Sequence, residues 1–176
     1  MTSIKSRNTR IMQNSWVVND LRQAAENWIR LTGIGPFFLV EGIELEDQLY
    51  RGKATDVKAS FALAQAGDIQ IELVCQHNDA PSAYRDTFAA GQQGFHHMAL
   101  YCQDYDGDLN AYLQQGVEVA FSGSSAGKRF CYIDTTASLG YMMELIEHSP
   151  AQAEFFQRIR AAAVNWQGDN PLRPAF

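Results

Sequence analysis

Residues 94–104 read GFHHMALYCQD, a short apolar run that carries two adjacent histidines. A run of this length, with glycine before it and polar residues after it, is typical of a β-strand. Because side chains alternate along a strand, His97 is predicted to share a face with Phe95 and Tyr101, while His96 lies on the other face. At most one of the two histidines is then expected to face any one cavity. An isolated histidine here would indicate ordinary core packing, but this stretch has a counterpart near the N-terminus.

The counterpart belongs to an internal duplication. Each half of the chain is predicted to have the order β-α-β-β-β, with Gln13 in the first strand of the first half and His97 in the first strand of the second. Each of the two precedes by seven residues an aspartate near the start of the following helix. Glu72 and Glu144 lie in the fourth strands of the two halves. Self-similarity of this kind indicates two copies of one structural module.

The predicted organisation follows from the duplication. It is an N-terminal tail at 1–10, a first βαβββ module at 11–77, a linker helix within 78–93, a second βαβββ module at 94–148, and a C-terminal helix and tail at 149–176. Residues 41–53 are acidic and polar and are predicted to form a long excursion or a mobile lid, and the Gly/Ser-rich residues 123–127 a flexible loop. The fold class is α+β.

Composition excludes several classes of protein. The net charge is −6 and the chain has no Lys/Arg cluster, which argues against nucleic-acid binding. No apolar run approaches the roughly 18 residues of a membrane span. Three cysteines, Cys75, Cys102 and Cys131, are odd in number and widely spaced, so they are predicted to be free buried thiols in a reducing compartment. We therefore expect a cytoplasmic protein.

The duplicated polar residues are the candidate metal ligands. A carboxylate inside an apolar strand is costly unless it is paired or binds a metal, although a single strand glutamate often faces solvent. Two at matching places weaken the solvent-facing alternative. Gln13, Glu72, His97 and Glu144 offer one imidazole and three oxygen donors. Such a set suits an octahedral divalent ion with open positions, namely Ni²⁺, Co²⁺, Mn²⁺, Fe²⁺ or Zn²⁺, and it lacks the thiolates of structural zinc sites.

On these residues the chain resembles the vicinal-oxygen-chelate superfamily, which includes glyoxalase I, methylmalonyl-CoA epimerase, extradiol dioxygenases and bleomycin-resistance proteins. The resemblance covers roughly residues 11–148 and rests on Gln13, on IEL at 71–73, on GFHHMAL at 94–100 and on ELIE at 144–147. It implies two tandem βαβββ modules that cup a metal in a U-shaped mixed sheet, with His97 rather than His96 as the ligand. It also implies a homodimer, and leaves open whether the site forms within one chain or across the dimer.

The branch of the superfamily is less determined. An extradiol dioxygenase would have a histidine where this chain has Gln13. The Gln/Glu/His/Glu set is that of the eukaryotic type of glyoxalase I, but Val17 and Gln93 replace the arginines that grip glutathione. GFHHMAL and residues 33–37 look closer to methylmalonyl-CoA epimerase. Those enzymes use an additional catalytic acid on the third strand, where residues 57–64 of this chain offer only Lys58, with Asp56 just outside.

The resemblance implies proton transfer next to a carbonyl of a small carbonyl or thioester substrate. Glu144 is the expected base and Glu72 the second candidate. Further substrate contacts are predicted for an apolar face and for a basic pair: Phe95, Tyr101, Met142, Lys128 and Arg129. The basic pair would hold a carboxylate or a CoA phosphate, or is simply exposed. The alternatives are a metal-free small-molecule binding protein of the bleomycin-resistance kind and a ring-cleaving dioxygenase.

Overall fold

The computed structural model describes residues 10–175, so the predicted N-terminal tail lies outside the described residues except for Arg10. The strands are β1 (Ile11–Val17), β2 (Phe37–Val40), β3 (Glu46–Tyr50), β4 (Lys53–Ala54), β5 (Ala59–Ala66), β6 (Ile69–Gln76), β7 (Gly94–Cys102), β8 (Val119–Ser125), β9 (Lys128–Ile133), β10 (Met142–Glu147) and β11 (Leu172–Pro174). The helices are α1 (Leu21–Thr32), α2 (Ala83–Thr87), α3 (Tyr105–Leu113), α4 (Thr136–Leu139) and α5 (Pro150–Ala163).

All eleven strands form one mixed sheet in the order β11-β2-β5-β6-β1-β7-β10-β9-β8-β3-β4. The first strands of the two modules, β1 and β7, pair antiparallel at the centre. Each is flanked on its other side by the parallel fourth strand of its own module, β6 beside β1 and β10 beside β7. The α+β architecture with a large mixed sheet and a C-terminal helix is as predicted.

The helices that follow β1 and β7 begin with aspartate caps. Asp20 accepts a hydrogen bond from the backbone N–H of Gln23, and Asp104 accepts one from Gly107. Helix α1 ends at Gly33, whose φ of 73° is in the left-handed region that glycine adopts without strain. Its buried face packs on the outer side of β5 and β6, so that the opposite side of the sheet is left for the site.

The predicted excursion at 41–53 is not a lid. It contains β3 and β4, and β3 pairs antiparallel with β8 at the edge of the second module. The predicted flexible loop at 123–127 is also mostly strand, since β8 runs to Ser125 and pairs with β9 as far as Lys128. Gly123 permits the contact, because a Cβ there would lie 3.0 Å from the Glu46 carbonyl oxygen. Patterning missed β3 and the end of β8 because polar and Gly/Ser-rich segments show little hydrophobic alternation.

Residues 41–53 cross from the first module to the second, and the C-terminal segment crosses from the second module to the first. Helix α5 packs against β5 of the first module, with Ile159 completely buried. The strand β11, which the sequence analysis did not predict, pairs in parallel with β2 at the other edge of the sheet. Each module therefore receives an edge strand from the other half of the chain.

A β-bulge changes the orientation of the two histidines. In the β1–β7 pair, Ser15 lies opposite His97 and Trp16 lies opposite Phe95, so His96 is the extra residue. Both histidines are buried on the same side and their rings are in contact. The predictions that they face opposite sides and that Phe95 shares a face with His97 are therefore wrong, because both assumed uninterrupted alternation.

Other sequence predictions fare differently. Within the predicted linker segment, 78–93, the structure has the five-residue helix α2. Cys75, Cys102 and Cys131 are all buried and none forms a disulfide, as predicted. Within residues 10–175 there is no helix that is long and apolar enough to cross a membrane.

Candidate metal centre

The centre of the sheet brings four polar side chains from one chain together. Glu72 on β6, Gln13 on β1, His97 on β7 and Glu144 on β10 lie on four neighbouring strands. All four are buried; the relative exposure is 0% for His97 and 6% for Glu144. Each module contributes two of these candidate ligands, and all four come from one chain.

The imidazole of His97 lies between the two carboxylates. Its Nε2 atom is 3.2 Å from Oε2 of Glu144 and 3.4 Å from Oε2 of Glu72. One potential ligand atom from each of the three residues lies within 4.8 Å of the others. This spacing allows the three atoms to surround a single point.

Three atoms of this group that could ligate a metal have no hydrogen-bond partner among residues 10–175. They are Oε1 of Gln13, Nε2 of His97 and Oε2 of Glu144. A buried polar atom left without a partner is costly, and a coordinated ion removes that cost. One imidazole nitrogen with three side-chain oxygens is also a donor set that first-row divalent metals accept. The residues present therefore fit a divalent metal.

The first-module ligands are held by their neighbours. The Ser15 hydroxyl donates to Oε2 of Glu72 over 2.8 Å. The Gln13 amide donates to Oε1 of Gln70 over 2.7 Å and lies 3.5 Å from Oε1 of Glu72. These bonds fix the Glu72 carboxylate and leave the Gln13 carbonyl oxygen free to bind a metal.

Burial and charge shift the ionisation of the second-module ligands. Burial alone would lower the pKa of His97, but the carboxylates of Glu144 and Glu72 outweigh it and raise that pKa to about 9. Burial raises the pKa of Glu144, although His97 opposes the shift. Without an ion, this pocket therefore holds a proton that a cation would displace.

Two tyrosines form the polar side of the cavity next to these ligands. The hydroxyls of Tyr84 and Tyr132 are 2.8 Å apart and both rings are fully buried. Tyr132 lies directly opposite Glu144 in the β9–β10 register, and its ring contacts that of His97. Burial raises the pKa of both hydroxyls, so each keeps its proton. Only one of the two protons lies between the oxygens, so the second faces another acceptor, and Glu144 is close enough for a hydrogen bond from Tyr132 to lower its pKa.

The ligands open into a cavity of about 240 Å³. The lining includes Gln13, Glu72, Glu144 and both tyrosines, and otherwise consists mainly of apolar side chains. The phenylalanines among them are Phe61, Phe130, Phe155 and Phe156, the last two from α5. The C-terminal helix thus forms one wall, and an apolar cavity with a few polar groups is typical of a small-molecule site.

The two predicted cations behave differently although both line this cavity. Arg129 is bound by Asp106 and Glu147 and stacks over the ring of Tyr105. Its charge is therefore already neutralised by protein carboxylates. Lys128 makes no ion pair within the part of the chain that the structure describes, and its charge remains available at the cavity.

The other predicted substrate contacts lie outside the cavity lining. The bulge directs Phe95 to the outer face of the sheet, where it contacts Trp16 and Tyr141. Tyr101 lies beneath the start of α5 and donates a hydrogen bond to the Ser149 carbonyl. Met142 is packed into the core beside the tyrosine pair. Regular alternation grouped these residues with His97, but the bulge and the arrival of α5 separate them from the cavity.

Sequence reasoning missed the tyrosine pair, the phenylalanines of α5 and His96. Tyr132 had a usable signal, because the predicted hairpin places it on the strand next to Glu144. Tyr84 had none, since a linker residue can be placed at the site only by the folded structure. The aromatic residues of α5 follow a helical spacing, which predicts that one face of the helix is buried but does not indicate which part of the protein covers it.

Comparison with known families agrees with the fold. A family model described as Glyoxalase/Bleomycin resistance protein/Dioxygenase superfamily matches residues 12–132, which is more than half of the chain. A search of curated proteins finds no significant match.

Solved structures share the fold at low sequence identity. Methylmalonyl-CoA epimerase from Mycobacterium tuberculosis superposes with a TM-score of 0.57 at 19% identity, covering 88% of this chain and 97% of that one. A variant of the Streptomyces coelicolor epimerase, in complex with 2-nitronate-propionyl-CoA, gives 0.54 at 20% identity, covering 82% and 97%. A protein of Bacillus halodurans C-125 gives 0.57 at 15% identity, covering 80% and 94%. At these identities the likeness is one of fold.

Proposed function

The chain belongs to the glyoxalase/bleomycin resistance protein/dioxygenase superfamily, and we propose that it is a metal-dependent enzyme that moves a proton at the carbon next to a carbonyl group. The observation that carries the proposal is the group of unpartnered buried donor atoms on Gln13, His97 and Glu144. A protein that only bound apolar ligands would have no use for them, and apolar residues there would cost less free energy.

Gln13, Glu72, His97 and Glu144 would hold the ion, and Ni²⁺, Co²⁺, Zn²⁺, Mn²⁺ and Fe²⁺ all suit this donor set. When bound, a divalent ion acts as a Lewis acid that polarises a substrate carbonyl and stabilises the negative charge left when a proton is removed. The set contains one histidine, whereas ring-cleaving iron enzymes use two histidines and one carboxylate. We therefore place proton transfer ahead of ring cleavage.

Glu144 is the better candidate for the base. Its Oε2 atom is unpartnered, and burial raises its pKa toward the range in which a carboxylate accepts and returns a proton. Oε2 of Glu72 already accepts a hydrogen bond from the Ser15 hydroxyl, so Glu72 is better suited to binding the metal than to removing a proton. The two carboxylates lie on either side of His97. Proton return at a second carbon would give isomerisation, and return to the opposite face of the same carbon would give epimerisation.

The tyrosine pair supplies a neutral donor at the same place. One hydroxyl proton of the pair Tyr84–Tyr132 lies outside the bond between them, beside Glu144 and the cavity. In the free protein this proton faces Glu144, and we assign it, once substrate is bound, to a substrate oxygen that gains negative charge as the carbon loses its proton. Because the pair is buried, its orientation is fixed before substrate binds.

The cavity walls favour a substrate with an apolar acyl or aromatic part. The four phenylalanines leave few hydrogen-bonding groups for a sugar or a peptide. Lys128 is placed to bind an anionic end of the substrate, such as a carboxylate or a phosphate. A thioester of coenzyme A meets both requirements, and the Streptomyces coelicolor epimerase variant is in complex with a coenzyme A derivative, 2-nitronate-propionyl-CoA. Because all four ligands come from one chain, a homodimer is not required to complete the site, and dimerisation stays a prediction.

Metal content is the first test. We expect about one transition-metal ion per chain in protein purified without chelator, lost in the double variant Glu72→Ala/Glu144→Ala. The matched control is Glu147→Ala, which removes a carboxylate from the same strand β10 that is bound to Arg129 rather than to His97. If wild-type protein binds none of the five candidate ions, metal-dependent catalysis is excluded and the cavity belongs to a ligand-binding protein.

A further inference from the structure

His96, the bulged residue next to the candidate metal ligand His97, has no role in the function proposed above. We propose that His96 is a positioning residue that fixes the tautomer of His97 and so presents the His97 Nε2 lone pair to the metal. The inference rests on the proposed metal site and concerns this chain's own residues. It arises from a chain of hydrogen bonds that begins in the linker between the modules.

The chain of bonds has three members. Nε2 of His96 lies 3.0 Å from the carbonyl oxygen of Ala83 at the start of α2. Nδ1 of His96 lies 2.8 Å from Nδ1 of His97. Nε2 of His97 then points between the carboxylates of Glu72 and Glu144. Both imidazoles are completely buried.

The positions of the protons follow from the acceptors. A backbone carbonyl oxygen can only accept, so Nε2 of His96 must carry the hydrogen. His96 contacts aromatic rings and no carboxylate among residues 10–175, and its surroundings therefore stabilise the neutral ring, with a lone pair on Nδ1. A 2.8 Å separation of two nitrogens requires one hydrogen between them, which must then be on Nδ1 of His97. The neutral His97 ring consequently has its lone pair on Nε2, the atom that faces the other ligands.

The alternative tautomer would oppose metal binding. With hydrogen on Nε2 and the lone pair on Nδ1, the neutral His97 ring would present its lone pair to His96 and a hydrogen to the carboxylates, so Nε2 could not bind the metal. Groups that orient a histidine ligand through its other nitrogen typically change metal affinity by about 10- to 100-fold. Here the orienting group is a second histidine, held in turn by the linker.

The linker end of the chain is itself fixed. Ser82, which is fully buried, donates to the Gln76 side chain over 2.7 Å and accepts the backbone N–H of Arg85 over 3.1 Å. These bonds set the position of the adjacent Ala83 carbonyl. The segment that joins the two modules thus determines which nitrogen of His97 faces the metal.

Cobalt titration of three variants tests the proposal. The amide oxygen of His96→Asn can take the place of Nδ1 as an acceptor, whereas His96→Phe keeps a ring and removes the acceptor. We expect His96→Phe to weaken Co²⁺ binding about 10- to 100-fold and His96→Asn to recover most of the loss. His77→Phe is the control, because His77 is an exposed histidine that bonds to Ser60. Wild-type affinity in His96→Phe would overturn the proposal and leave the metal site standing.

A second measurement needs no variant. Long-range ¹H–¹⁵N spectra of the wild-type protein with Zn²⁺ bound report which nitrogen of each histidine carries a hydrogen. We expect hydrogen on Nε2 of His96 and on Nδ1 of His97. Any other pair of tautomers overturns the proposal, whether or not His96→Phe folds. Failure of wild-type protein to bind either ion would instead overturn the proposed function, and the inference with it.

Discussion

In the first module, Ser15 donates to the Glu72 carboxylate and Gln70 accepts from the Gln13 amide. In the second module, the facing atoms of His97 and Glu144 are buried and have no hydrogen-bond partner among residues 10–175. The ligands occupy equivalent strands of a duplicated module, so the backbone places both pairs alike. The difference lies in the side chains around them. Under the proposed function, the backbone supplies equivalent positions, and the side chains around them make Glu72 the supported carboxylate and Glu144 the reactive one.

The largest expected difference between the modules is in turnover. Glu144→Gln should lower the rate of proton transfer by about 10²- to 10⁴-fold, because it removes the proposed base and keeps an oxygen ligand. Glu72→Gln should lower it less. The measurement is incorporation of solvent deuterium into a panel of thioesters and 2-oxo acids, followed by NMR. Equal losses in the two variants, or a greater loss in Glu72→Gln, would contradict this division of roles.

Loss of first-module support should weaken metal binding without removing it. Ser15→Ala takes away the hydrogen bond that holds Glu72, and we expect Co²⁺ affinity to fall by about 10-fold. Ser60→Ala is a matched control, since it removes another buried strand hydroxyl that bonds to His77 rather than to a ligand. An affinity unchanged in both variants would mean that Glu72 needs no support.

The convergence of the four candidate ligands could be predicted from the sequence because it depends on local patterns. The internal repeat places one polar residue in the first and fourth strand of each module, namely Gln13, Glu72, His97 and Glu144. Pairing of these four strands then brings the side chains together. The bulge at His96 has no sequence signal of this kind, since one inserted residue leaves the apolar run unchanged. Residues that arrive from distant segments, such as Tyr84 and Phe155, depend on the tertiary arrangement alone.

The ionisation of His97 should make the stability of metal-free protein depend on pH. Its pKa is raised from an ordinary value of 6.5 to about 9, so its contribution is complete below pH 6.5 and is lost as the pH rises through 9. The raised pKa of Glu144 acts in the same direction. We expect Tm of chelator-treated protein to fall over this range, and Tm of metal-loaded protein not to follow it. Differential scanning calorimetry of wild type and His97→Gln checks the assignment, because the variant should lose most of the slope.

The smallest expected change is in the free energy of unfolding when the ion pairs of the β3–β4 hairpin, which crosses from the first module to the second, are removed. Arg51, at the turn between β3 and β4, pairs with Asp86 of α2 and Asp134 near β9. Arg51 is partly exposed, so solvent weakens these pairs and Arg51→Ala should cost no more than about 1 kcal/mol of unfolding free energy. Urea unfolding measures the change, and Arg30→Ala on the exposed side of α1 is the control. A loss of several kcal/mol would show that the network stabilises far more than a surface ion pair.

The crossing strands have a consequence for the separate halves of the chain. Because β3 lies on the second module and β11 lies on the first, a proteolytic cut in the exposed linker at 91–93 would leave two fragments that each complete the sheet of the other. Such fragments are expected to stay associated under native conditions and to reassemble when mixed after unfolding. Neither module is therefore expected to fold as a separate unit, because each lacks the edge strand that the other half of the chain supplies.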